Sequence, residues 1–238
     1  MKPLLIFLLT FNAWTSIAQQ PFDPEQNLRT LANLSPYSVG AQGFDNRYEG
    51  IRGNPLLFDN WQEGNIQFAK QDTMSMLVKF NVDLVKQVVI VQLRDGSIGQ
   101  IGATTIKAFQ RKEERKPSRR WVVFSEKEVE KINSVRLKFY EVLHEGKYQL
   151  LKSTEKQLKK ASYEGAYNNG ERYDEFTTEV SYWLRGDGIN YKKIKIKRKE
   201  IESVLSESAL QIAKSQKLDL NNESDVIQLL SELENTGN

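Results

Sequence analysis

From Gly64 to Lys197 apolar and polar positions alternate with a period of two, in "GNIQFA", "SMLVKF", "KQVVIVQL", "SIGQI", "RWVVF", "VRLKFYEVL", "KYQLLK", "FTTEVSYWL" and "NYKKIKIK". Short alternating runs rich in valine, isoleucine and aromatics, separated by turn residues, predict half-buried strands. Asp95-Gly96 and Glu145-Gly146 sit between such runs. Each predicts a two-residue hairpin loop, because glycine accepts the positive φ of a primed turn. The second loop would pair His144 with Lys147, Val142 with Gln149 and Tyr140 with Leu151. No helical crossover separates the runs, so the strands are expected to be antiparallel.

After Lys197 the period lengthens. Ile201, Val204, Leu205 and Ile212 fall on one helical stripe, and Val226, Ile227, Leu230 and Leu233 fall on another. Asn222 followed by Asp225 resembles a capping box and predicts the start of the second helix. Two amphipathic helices need a surface to bury against, and one face of the sheet supplies it. The expected fold is α+β: an antiparallel β-meander curled into a roll or open barrel, with two C-terminal helices packed on it. Before the strands, residues 19–63 are broken by glycine, proline and asparagine. They read as an irregular arm with a short helix over Glu25 to Leu34, docked by Phe44, Tyr48, Phe58 and Trp61. The organisation is then a leader (1–18), the arm (19–63), a β body (64–197) and a helical segment of the same domain (198–238).

The leader, "MKPLLIFLLTFNAWTSIA", has Lys2, an apolar run from Leu4 to Phe11 and a small-x-small ending at Ser16 and Ala18. That is the pattern of a secretory signal peptide cleaved at about Ala18, and the run is too short to span a bilayer. A periplasmic or secreted, soluble chain without a membrane span follows as the expectation. The chain has no cysteine, which excludes disulfides, thiolate metal sites and cysteine nucleophiles. About 220 of the 238 residues remain after cleavage, enough to bury a substantial core without covalent staples. The formal charge of +3 makes no demand for nucleic acid, and none is expected as a partner.

Catalytic chemistry has little to work with. His144 is the single histidine; at a wet hairpin end beside Lys147 it would have a lowered pKa, and it has no companion for a zinc site or a Ser-His-Asp arrangement. "GSIGQIG", Gly96 to Gly102, matches no phosphate, dinucleotide or nucleophile motif and reads as a turn and strand. No catalytic residue, metal ligand or cofactor is therefore expected, although a pair of dispersed carboxylates has no local signature that would reveal it.

Two stretches carry binding chemistry. "YEGAYNNGERYDEF" places Tyr163, Tyr167 and Tyr173 with two glycines in one loop, and tyrosine offers a flat face and a hydroxyl at low entropic cost. "YKKIKIKRK" alternates Lys193, Lys195 and Lys197 with Ile194 and Ile196. The isoleucines face the core, while the lysines protect a sheet edge and offer charge to an anionic or lipid ligand. With "NPLLFDNWQEGNI", "FYEVLHEGKYQLLK", "YEGAYNNG" and the lysine strand before two helices, the chain resembles a family of uncharacterised exported proteins of Gram-negative bacteria. The resemblance covers about residues 50 to 230 and implies export and a β-rich body, with no assigned activity. The reading that results is a non-catalytic exported protein that binds an envelope or secreted protein through a sheet face or rim. The alternative is a carrier of an apolar ligand such as a lipid inside a curved sheet, with Val89, Val91, Leu143 and Leu150 lining the cavity. An enzyme using carboxylates stands third.

Overall fold

The computed structural model describes residues 48, 50–69, 77–113, 119–130, 136–161, 173–186 and 190–236. The leader, the helix expected over Glu25 to Leu34, Phe44, Tyr163 and Tyr167 lie outside these residues. Ten strands form one open antiparallel sheet: β1 Gln62–Phe68, β2 Val78–Asp83, β3 Val88–Gln92, β4 Ile98–Gly102, β5 Ile106–Arg111, β6 Arg120–Ser125, β7 Leu137–His144, β8 Gln149–Lys159, β9 Glu175–Arg185 and β10 Lys192–Ile194. Their order across the sheet is β10-β9-β8-β7-β6-β5-β1-β2-β3-β4. Neighbours in sequence are neighbours in space except at one join. β4 leads into β5 through a 3₁₀ turn at Ala103–Thr105, yet β5 pairs with β1.

β5 is the strand that the alternation missed. Its Ala108 and Phe109 are both buried, one on each face, so the period of two is broken where both faces are covered. β8 is also longer than its apolar part: "STEKQLK", polar on both sides, continues the ladder because β9 pairs with it residue for residue from Gln149↔Arg185 to Lys159↔Glu175.

Both expected hairpin loops are longer than two residues. In the first, Gln92 pairs with Ile98, the Leu93 N–H donates to the Ser97 carbonyl at 2.9 Å, and Gly96 takes φ +84°. The loop is thus Arg94-Asp95-Gly96, closed by the Asp95 carboxylate, which accepts from the Ser97 N–H at 3.0 Å. In the second, Val142 pairs with Leu151 and Tyr140 with Ser153, two residues out of the expected register, and a bulge then sets His144 opposite Leu150. Glu234 explains the shift. Its carboxylate accepts from the Tyr148 N–H at 3.2 Å and fills the space where a side chain on Gly146 would lie, so the turn closes around a distant carboxylate.

Four helices accompany the sheet: α1 Glu126–Glu130, α2 Arg198–Glu202, α3 Glu207–Ser215 and α4 Glu223–Thr236. The first of the two expected C-terminal helices is two. Ser206 breaks it, since its Oγ accepts from the Ala209 N–H at 3.4 Å and starts α3 afresh. Asn222 caps α4 as expected, with its Oδ1 accepting from the Ser224 N–H at 2.8 Å. The short α1 was signalled by Ser125 and Glu128, which form a reciprocal capping box: the Glu128 carboxylate accepts from the Ser125 N–H at 2.7 Å, and Ser125 Oγ from the Glu128 N–H at 3.3 Å.

The residues that share a face follow from register. Phe109, Trp121 and Phe139 lie on one face with Phe80, Val89, Val91 and Ile101, and this aromatic cluster fills the β1–β7 half. The arm closes it: the Phe58 ring meets Trp121 edge-on at 5.4 Å, and the buried Asn81 amide holds both backbone groups of Phe58. Toward β10, the same face presents Leu150, Leu184 and Ile194 to α2, α3 and α4, where Ile201, Ala209, Leu229 and Leu230 are buried. On the other face Val122, Tyr140, Leu151 and Trp183 pack with Val129 of α1. Gly64 allows β1 to approach β5, because a Cβ there would stand 2.0 Å from the Gln110 carbonyl oxygen and 2.7 Å from the Phe80 ring. Gly64→Ala is therefore expected to lower stability by about 1–3 kcal/mol or more through overpacking, read as a shift in the denaturation midpoint; an unchanged midpoint would contradict this packing.

Candidate functional site

The described candidates lie along β9 and β10 but at opposite ends of β9, so Tyr173 is not brought together with the lysines. Tyr173 lies just before β9; its ring is 5.1 Å from the Arg52 guanidinium and its hydroxyl accepts from Arg52. Arg52 also bridges to the start of β9: its N–H donates to the Asp174 carbonyl and its carbonyl accepts from the Phe176 N–H, both at 2.9 Å. At the other end of β9, Lys193 pairs with Trp183 and holds its ammonium 5.3 Å from the indole ring. β10 is only three residues long, so Lys195 and Lys197 fall beyond it, in the bend that enters α2. Both are exposed, while Ile194 is buried, which is the expected alternation. Glu200 of α2 turns the chain there by accepting from the Lys195 N–H at 2.6 Å.

Two clusters of titratable groups lie inside the fold, and local sequence signals pointed to neither. On the helix-covered face, register sets Trp121, Glu141, Lys152 and Tyr182 in one row across β6 to β9. Lys152 binds Glu223 at 2.8 Å, the Tyr182 hydroxyl donates to the same carboxylate at 2.6 Å, and Arg119 reaches Glu141 at 3.2 Å. Burial raises the pKa of Glu141 against the pull of Arg119 and Lys152. Burial also disfavours the charge on Glu223, but the bonds from Lys152 and Tyr182 prevail and hold it below the usual carboxylate range. Two carboxylates pushed in opposite directions resemble an acid and base pair. Neither borders either of two surface recesses among the described residues. The recess of about 320 Å³ is bordered by Glu63, Lys79, Gln92 and Arg94, and that of about 140 Å³ by Arg120, Val122, Phe124 and Val142.

On the opposite face Lys138 is buried among carboxylates, 2.5 Å from Glu126, 2.9 Å from Glu155 and 3.6 Å from Glu130. Burial lowers its pKa, yet the bonds from Glu126 and Glu155 outweigh this and the net shift is upward. Tyr140 lies beside it with a buried hydroxyl that has no hydrogen-bond partner, and burial together with the three glutamates pushes its pKa up. Among the described residues no group of histidine, cysteine and carboxylate side chains is arranged to hold a metal ion. No described helix is long and apolar enough to cross a membrane.

His144 differs from its sequence reading. It faces Leu150, not Lys147, and its side chain is only 9% exposed, with Nε2 3.8 Å from Glu234. Its pKa is lowered, as expected, but the cause is burial rather than an ammonium, and Glu234 opposes the shift. The longer turn folds the ring inward under the end of α4. No protein-family model, curated protein or solved structure matches the chain.

These environments predict two outcomes. Lys138→Met strands three carboxylates in a buried site and should cost about 3–5 kcal/mol, whereas Tyr140→Phe removes a hydroxyl without a partner and should be neutral or stabilising in the same denaturant titration. For His144 the sign follows from its depressed pKa. As pH falls through about 6.5 the unfolded chain takes up a proton while the folded imidazole stays neutral, so the folded state loses stability until its own lower pKa is passed. Melting temperatures of the wild type and His144→Gln, compared at about pH 7.5 and about pH 5, should show the wild type losing more on acidification. A wild type that gains relative to the variant would mean that Glu234 captures an imidazolium instead.

Proposed function

We propose that this chain is an exported, non-catalytic protein that engages an envelope or secreted protein through the rim formed by β9 and β10. The observation that carries the reading is that the inward face is filled, which leaves binding capacity at the rim. Val89, Val91 and Leu150 are 0% exposed, the first two among aromatic rings and the third under the helices. A carrier of an apolar ligand would need that space empty, so the lipid-carrier reading has less support. The leader with Lys2 and the apolar run Leu4 to Phe11 supports export to the periplasm or beyond. The three-residue connection that brings β5 back to β1 supports a β1–β5 half coiled into an open barrel, with the β8–β10 end projecting from it. Tyr173 and Lys193, Lys195 and Lys197 bracket that projecting edge, and an acidic patch on the partner would meet the lysines.

The test is capture by the tagged mature chain from native envelope fractions, with bound proteins and extracted lipids both identified. One stoichiometric protein partner is expected, weakened by salt because exposed charges are screened within about 8–10 Å. Lys195→Glu with Lys197→Glu should lose it while stability changes by under about 0.5 kcal/mol. A bound lipid with no protein, or capture indifferent to both substitutions and salt, would overturn the proposal.

A further inference from the structure

β9 has eleven residues and its outer neighbour β10 only three, so part of β9 is an open edge. Phe176 donates outward to Arg52, and Tyr182 and Leu184 pair outward with Ile194 and Lys192. Backbone groups alternate direction along a strand, so those of Thr178 and Val180 also point away from β8. No described segment meets them. Thr177 to Val180 are exposed, and Val180, at 44%, is one of two large apolar side chains left open among the described residues. The gap between the Arg52 bridge and β10 admits a strand of about five residues at 3.3 Å each.

Charge on the face opposite the helices, beside this gap, indicates what belongs there. Continued two residues past Tyr140↔Ser153, the β7–β8 register sets Lys138 beside Glu155, and Glu155 pairs with Glu179 on β9. Lys138 neutralises Glu155 at 2.9 Å. Glu179 is exposed and makes no ion pair or hydrogen bond among the described residues, although it sits directly opposite another carboxylate, an unfavourable cross-strand arrangement. The row runs plus, minus, minus, and its next position belongs to whatever strand pairs with β9. A cation there completes it.

A second copy of the chain fits badly. The two-fold antiparallel register that uses only the free groups pairs Thr178 with Val180 of the copy and sets Glu179 against its own equivalent. That is a narrow, non-hydrogen-bonded pair in which like charges repel most strongly. We infer that the open edge of β9 at Thr178 and Val180 is a docking site for an extended segment of another polypeptide. That segment adds an antiparallel strand with a lysine or arginine opposite Glu179 and apolar β-branched residues flanking it. Main-chain bonds supply the affinity and the charge row supplies the register. The inference rests on the rim reading above and gives the partner a chemistry.

The mature protein, isotope-labelled, is titrated with the blocked peptide Thr-Val-Lys-Val-Thr and with its glutamate counterpart Thr-Val-Glu-Val-Thr, and amide shifts are followed. The lysine peptide should move and protect the Thr178 and Val180 amides and bind about three- to ten-fold more tightly than the glutamate peptide. Glu179→Lys should reverse that preference. Val180→Pro, which deletes only an outward N–H and is tolerated at a strand edge, should abolish binding with the melting temperature little changed. Shifts centred elsewhere, no preference between the peptides, or a homodimer that Val180→Pro dissolves would overturn the inference; should Val180→Pro unfold the chain, the reversal by Glu179→Lys decides alone. Envelope capture that survives Val180→Pro leaves the rim partner standing without strand addition, and peptide binding with no envelope partner does the opposite.

Discussion

The pairing of β8 with β9 over eleven residues is the constraint on which the rest of the molecule depends. Once Gln149 is set against Arg185, every row across the sheet is determined. Leu150 and Leu184 must share the face that the helices cover, and Lys152 must lie beside both Glu141 and Tyr182. On the other face Lys138 lies beside Glu155, which pairs with Glu179. A slip of one residue in β8 would exchange its two faces, taking Leu150 and Lys152 away from the helices and turning Leu151 and Glu155 toward them. The bulge near Leu143 and the long turn after His144 are where β7 yields to that register.

The sheet buries both faces along much of its width, and charged residues are part of what is buried. Glu141 and Lys138 are each under a tenth exposed. Removing charge from water is costly, and these sites offset it with close partners: Arg119 for Glu141, and Glu126 and Glu155 for Lys138. The Glu141 row separates the aromatic cluster under Phe58 from the aliphatic cluster under α4. Its reach to Glu223 fixes where α4 begins, and the bond from Tyr148 to Glu234 fixes where it ends. Polar groups therefore position the helix, and apolar burial supplies most of its adhesion.

Alternation was legible where one face of a strand is packed more tightly than the other, as in "KQVVIVQL", whose Val89 and Val91 are buried between less buried neighbours. It failed at β5, where Ala108 and Phe109 are both buried, and at "STEKQLK", a largely polar run held by its pairing with β9 and by the bonds of Glu155 to Lys138 and of Lys156 to the Asn54 carbonyl. Loop lengths were misjudged for related reasons. Asp95-Gly96 and Glu145-Gly146 mark turns correctly, but the number of residues in each loop is set by the Asp95 side chain and by Glu234, the latter more than eighty residues away in the chain. The surface character of Lys195 and Lys197 was readable, since isoleucine alternates with them. The edge at Thr178 and Val180 was not, because a strand's freedom depends on how far its neighbour extends. The Ser125 and Glu128 cap and the Ser206 cap were local signals that went unread.

The inward face has two separate covers. The arm is held over the aromatic half by Asn81 and Phe58, and the helices are held over the other half by Leu150, Leu184 and Ile194. Between them on this face lie Glu141 and Lys152, so the two covers rest on separate apolar clusters. Lifting the arm would bare only the aromatic half, and detaching the helices would bare only the aliphatic half. What ties the halves together lies beneath both covers, on the sheet's other face, where Val122, Tyr140, Leu151 and Trp183 form one cluster from β6 to β9.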